Sequence, residues 1–100
     1  MKIITMCSSI KFMDDVFFHH RRLALEGNCV IGFTPIIPNI QESPEEIKIL
    51  SNEHFKKIDL CDAIFVVNKN GYIGEQVEKE IEYARVRGKE VLFLENPTIC

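Results

Sequence analysis

Four short apolar runs alternate along this chain with segments of helical periodicity, and that alternation restricts the fold more than any other feature. The runs cover residues 2–7, 29–33, 63–67 and 91–94, are rich in Val, Ile and Phe, and read as strands. Residues 63–67 are continuously apolar, as in a strand buried on both faces. Between the runs, residues 12–26 carry Val16, Phe17, Leu23 and Ala24 in roughly helical spacing and close on Gly27-Asn28. Ser43-Pro44-Glu45-Glu46 is a helix start, with a capping serine, proline in the first turn and a glutamate that completes a capping box. Ile47, Leu50, His54, Ile58 and Cys61 follow three or four apart, on one helix face. Residues 75–87 form a third helix before Gly88-Lys89.

Strands that alternate with helices predict an α/β fold with a parallel sheet covered on both faces. The expected architecture is a Rossmann-like (flavodoxin-like) three-layer sandwich with about four strands. With 100 residues, 46% hydrophobic and 27% charged, the chain reads as one domain over residues 1–100. A formal net charge of −3 argues against a nucleic-acid partner, and no run approaches a membrane span. In parallel sheets of this kind the ligand crevice lies beyond the carboxyl ends of the strands. That singles out three loops: residues 8–12, 34–40 and 68–74.

Cys7, Cys29, Cys61 and Cys100 include no CxxC pair. They read as reduced structural thiols, and with no signal-peptide pattern at the N-terminus the expected location is cytoplasmic. No His/Cys/Asp cluster has metal-ligand spacing, so no metal and no cofactor is expected. Phe12, Phe17, Phe18, Ile36, Ile37 and Ile40 exceed what one small crevice needs, which predicts a homo-oligomer, a dimer or higher.

Few residues offer chemistry. In the 68–74 loop, Gly71 and Gly74 permit close backbone approach, and the following helix N-terminus favours an anion. At about 100° per residue, Val77, Ile81 and Ala84 share the buried side of the third helix. Glu75, Glu78, Lys79 and Glu82 face solvent. Glu80 lies at the border, where a partly desolvated carboxylate serves as nucleophile or base, or simply pairs with a lysine or arginine. His54, on the apolar stripe of the second helix, suits either acid–base work or a core position. His19-His20-Arg21-Arg22 reads as a solvated basic patch, and Ser8-Ser9 as a hydrogen-bonding turn for a sugar or phosphate.

The whole pattern resembles the nucleoside 2-deoxyribosyltransferase-like superfamily. The resemblance rests on Met6-Cys7-Ser8-Ser9-Ile10-Lys11-Phe12, on Ile58-Asp59-Leu60-Cys61-Asp62-Ala63 running into Val67-Asn68, on Gly71-Tyr72-Ile73-Gly74-Glu75, and on Glu80-Ile81-Glu82-Tyr83-Ala84. That superfamily includes deoxyribose transferases and hydrolases of 2′-deoxynucleoside 5′-phosphates. The resemblance implies that Glu80, four residues before Ala84, attacks the anomeric carbon, by analogy with retaining glycosidases. It also implies that Cys7, Ser8, Ser9, Ile10, Lys11 and Phe12 contact the sugar or phosphate, and that Asn68, Gly71, Tyr72, Ile73 and Gly74 cradle the 5′ end. Two departures stand out. Eight residues before Asp62, where the family carries aspartate, stands His54, so base protonation falls to histidine or is missing. The loop between Asp62 and Glu80 is also slightly longer. The expected ligand is a nucleoside or nucleotide, and the site is expected to draw on a neighbouring subunit. A non-catalytic nucleotide-binding protein using the same crevice is the alternative.

Overall fold

The computed structural model describes residues 1–97. Four strands, β1 (Ile3–Cys7), β2 (Cys29–Ile31), β3 (Ala63–Val66) and β4 (Glu90–Phe93), form one sheet in the order β2-β1-β3-β4. All pairings are parallel, with Thr5 opposite Ile31 on one side and Ile64 on the other. Three helices connect them: α1 (Met13–Leu25), α2 (Pro44–Asp59) and α3 (Glu75–Val86). Sheet and flanking helices make the expected Rossmann-like, flavodoxin-like sandwich.

The chain steps from β1 outward to β2, then returns across β1 to β3 and on to β4. Because such crossovers are right-handed, reversing direction puts α1 on one face and α2 and α3 on the other. The two cores record this. Ile4, Met6, Ala63, Phe65 and Val67 pack with Val16 and Leu23 of α1. Cys7, Ile64 and Val66 pack with Ile58 of α2 and Val77, Ile81 and Ala84 of α3. Alternate residues of β1 and β3 therefore face opposite layers, and each fully buried Val or Ile contributes about 1.5–3 kcal/mol. Asp62 opens β3 by accepting the Ile3 amide on its carboxylate at 2.8 Å.

The helices begin where the sequence places them. Ser43 and Glu46 form the reciprocal capping box of α2. The apolar stripes are narrower than expected, however. On α1 only Val16 and Leu23 are buried, while Phe17 points outward. On α2 Ile47 is exposed and Leu50 half-buried, because the first turns of this helix overhang the sheet. β2 stops at Ile31 rather than Phe33, since the Gly32 carbonyl is taken by Lys57 Nζ at 3.0 Å. Cys29, on that edge strand, is exposed rather than part of the core. Cys7 and Cys61 are buried, and Cys100 lies outside the described residues.

Of the apolar residues expected at an interface, Phe17, Phe18, Ile36, Ile37 and Ile40 are exposed. Phe12 instead packs against the α1-side core. Among the described residues no helix is long and apolar enough to cross a membrane.

Candidate functional site

The overhang of α2 leaves a cleft of about 450 Å³ between the loops after β1 and β2 and the facing sides of α2 and α3. It lies beyond the carboxyl end of β1, where the order reverses, and its volume suits a small-molecule ligand. Ser8, Ser9 and Ile10 line it from the β1 loop, Phe33 and Thr34 from the β2 loop, His54 from α2, and Gly74, Gln76 and Glu80 from the start of α3.

Three elements deliver the chemistry. The period of β1 points Cys7 toward the α2/α3 layer at the strand's end. The stripe of α2 brings His54 to the same place, with its Nε2 3.4 Å from Cys7 Sγ. Glu80, three residues after Val77 and about 60° from it around α3, is 5% exposed and sets Oε1 3.5 Å from His54 Nε2. Gln76, one turn earlier, donates from Nε2 to Glu80 Oε2 at 3.2 Å and to Ser51 Oγ at 3.0 Å, tying α3 to α2. Glu80 Oε1 has no hydrogen-bond partner among the described residues. Glu80 therefore has neither the lysine nor the arginine partner that a boundary glutamate invites.

Burial dominates the electrostatics. It pushes the Glu80 carboxyl up to about 7, with the Gln76 and Cys7 contacts pulling the other way. It pulls His54 down to about 4, reinforced by the positive charge of Lys57 and opposed by Glu53. Burial first, and the Glu80 charge second, hold the Cys7 thiol well above its ordinary value. Phe33 stacks on His54 with centroids 5.3 Å apart and planes 10° from parallel. The Phe33 loop is anchored in turn by Thr34, which donates to Glu53 at 2.7 Å and accepts from Lys57 at 3.3 Å.

The other residues singled out in the sequence fall elsewhere. Lys11 Nζ sits 3.3 Å from the centroid of the Tyr72 ring, and Phe12 meets that ring edge-on. Lys11, Phe12, Gly71, Tyr72 and Ile73 thus join the β1 and β3 loops beside the cleft without lining it. Asn68 is buried with both side-chain ends used, donating to the Glu95 carbonyl and accepting the Glu95 amide. Gly71, at φ +79°, takes a left-handed turn conformation that favours glycine. The Ser8 hydroxyl reaches the backbone carbonyls of Ser9 and Val67, and Ser9 Oγ accepts from the Lys11 amide. Asp59, near the end of α2, is engaged by Tyr83 and Arg87.

Sequence reasoning missed Phe33, Gln76 and Ser51. Gln76 carried a signal, because it stands four residues before Glu80 on the same helix face. Phe33 and Ser51 carried none, since their roles arise only when the β2 loop and α2 meet α3. Compared with known proteins, the chain matches no family model, no curated protein and no solved structure.

Proposed function

We propose that the cleft binds a nucleoside or nucleoside 5′-phosphate and that Glu80 cleaves or transfers its N-glycosidic bond. The observation that carries this reading is Glu80, a cleft-lining residue whose buried carboxyl oxygen Oε1 is unpartnered and lies 3.5 Å from an imidazole nitrogen. A nucleophile needs such a free oxygen, and a leaving base needs a proton donor within reach. The sequence resemblance supports the same assignment for Glu80.

The chemistry uses one proton shared by the pair. At rest it sits on Glu80. Moving it to His54 yields a carboxylate and an imidazolium together, and the gap between about 7 and about 4 costs about 4 kcal/mol. The carboxylate oxygen then bonds to C1′, the C1′–N bond breaks, and the base leaves with the bond's electron pair and the His54 proton. Neutral His54 next takes a proton from water, or from an incoming base, as it attacks C1′ and releases Glu80. Phe33 offers the base an aromatic wall.

The test is incubation with a panel of deoxynucleosides and their 5′-phosphates, followed by chromatography. Free base from the wild type, and none from Glu80→Gln, is the expected result. Ligand bound but recovered intact from the wild type overturns the enzyme reading in favour of a nucleotide-binding protein. No binding and no turnover across the panel overturns both.

A further inference from the structure

Cys7, His54 and Glu80 come from β1, α2 and α3, and all three are buried. Their donor atoms lie within 4.8 Å of one another, with Sγ to Nε2 at 3.4 Å and Nε2 to Oε1 at 3.5 Å. Glu80 Oε2 has Gln76 as a donor, so the oxygen left without one is the oxygen that faces the histidine. A buried polar atom without a partner has given up its hydrogen bonds to water without replacement, which is more unfavourable still when it is charged. One cation among the three donors removes that deficit.

We propose that Cys7, His54 and Glu80 bind a single divalent ion of the zinc class. Thiolate, imidazole and carboxylate together form a borderline-soft donor set that selects zinc or cobalt over magnesium or calcium. The spacing agrees with this choice. Bonds of about 2.3 Å to sulfur and about 2.0–2.2 Å to nitrogen and oxygen, at tetrahedral angles, set neighbouring donors roughly 3.4–3.5 Å apart. Two of the three edges already have that length, and the third lies within 4.8 Å. Gln76 is then the outer partner that orients the carboxylate. Three protein ligands leave a fourth position, on the side of the cleft that His54 and Glu80 line. Binding releases the Cys7 thiol proton, and the Glu80 proton where the carboxyl carries one.

This site does not rest on the glycosidic reading. An ion held by Glu80 withdraws the nucleophile, so ion binding and sugar transfer exclude each other.

The test is titration of the chelator-treated 100-residue chain with cobalt(II) in the absence of any nucleoside, followed by displacement with zinc. One equivalent should produce the intense visible bands of tetrahedral cobalt and a thiolate-to-cobalt charge-transfer band. The Cys29→Ser/Cys100→Ser variant should retain both, which leaves Cys7 and Cys61 as the candidate thiolates. Cys7→Ser should lose the charge-transfer band. Glu80→Gln and His54→Gln should each weaken binding at least about tenfold, the scale on which even outer-sphere partners act. Weak octahedral bands only, or a charge-transfer band lost with Cys29 and Cys100, overturns the proposal. Should Cys7→Ser fail to fold, the wild type, the Cys29→Ser/Cys100→Ser variant and Glu80→Gln still decide it.

Discussion

Glu80 Oε1 lies 3.5 Å from His54 Nε2, both side chains are more than nine-tenths buried, and yet the two are not an ion pair. Desolvation is the largest influence on each. With Glu80 raised to about 7 and His54 lowered to about 4, both are neutral between those values, and only one is charged outside them. The pair is a stored proton beside an acceptor rather than a structural salt bridge.

The first consequence is a pair of opposed stability profiles, read in chelator-treated protein. Glu80 keeps its proton when folded but loses it near 4.5 when unfolded, so its contribution falls as pH rises from about 4.5 to about 7. Relative to wild type, Glu80→Gln should therefore gain up to about 3 kcal/mol across that interval. His54 binds a proton near 6.5 when unfolded and near 4 when folded, so its contribution falls as pH drops through that range. His54→Gln should gain a similar amount, about 3 kcal/mol, over wild type toward pH 4. Urea midpoints from pH 4 to 8 measure both, and parallel profiles for all three proteins would contradict the neutral pair.

Gln76 acts through Glu80. Gln76→Leu removes the donor to Oε2 that favours the carboxylate, so the Glu80 carboxyl rises further. Because turnover needs one proton on the pair, the alkaline limb of base release should move up by about one pH unit. The rate should fall more in kcat than in KM. An unchanged profile would make Gln76 only a clamp between α2 and α3.

Phe33 covers His54 and walls the cleft. Phe33→Ala should weaken nucleoside binding by roughly 1–3 kcal/mol, the usual contribution of base–aromatic stacking, or about tenfold or more in Kd. Calorimetry with an unreactive nucleoside in Glu80→Gln reads this without turnover. A Kd within twofold would place the base elsewhere.

Asn68 separates a structural role from a binding one. Its two hydrogen bonds to the Glu95 backbone tie the end of β3 to the segment after β4. Asn68→Ala removes both hydrogen bonds and leaves the backbone groups of the exposed Glu95 to water, which should cost about 1–3 kcal/mol in chemical denaturation at about 0.5–1.5 kcal/mol per bond. Ligand affinity should stay within about twofold, and a larger loss would restore Asn68 as a contact.

Much of this was legible in the chain itself. The capping box at Ser43, the proline after it, the β-branched runs and the buried side of α3 through Val77, Ile81 and Ala84 are local signals, and the fold repeats them. Glu80 was placed at the border of a helix face by angle alone. Periodicity could not say that the border is sealed, because that depends on Gln76 reaching Ser51 across to α2. The stripe of α2 likewise promised burial for Ile47, but this stripe runs past the edge of the sheet and becomes a wall of the cleft.

Composition and periodicity determined the layers, the parallel sheet and the loops that border its crevice, because backbone hydrogen bonding and apolar burial act on local pattern. Only the tertiary structure decided the chemistry. Cys7, His54 and Glu80 lie 47 and 26 positions apart in the chain, and no spacing rule joins them. The reversal of strand order between β1 and β3 gathers α2 and α3 on one face, over the end of β1. Burial there strips water from three titratable groups and leaves one carboxyl oxygen without a partner.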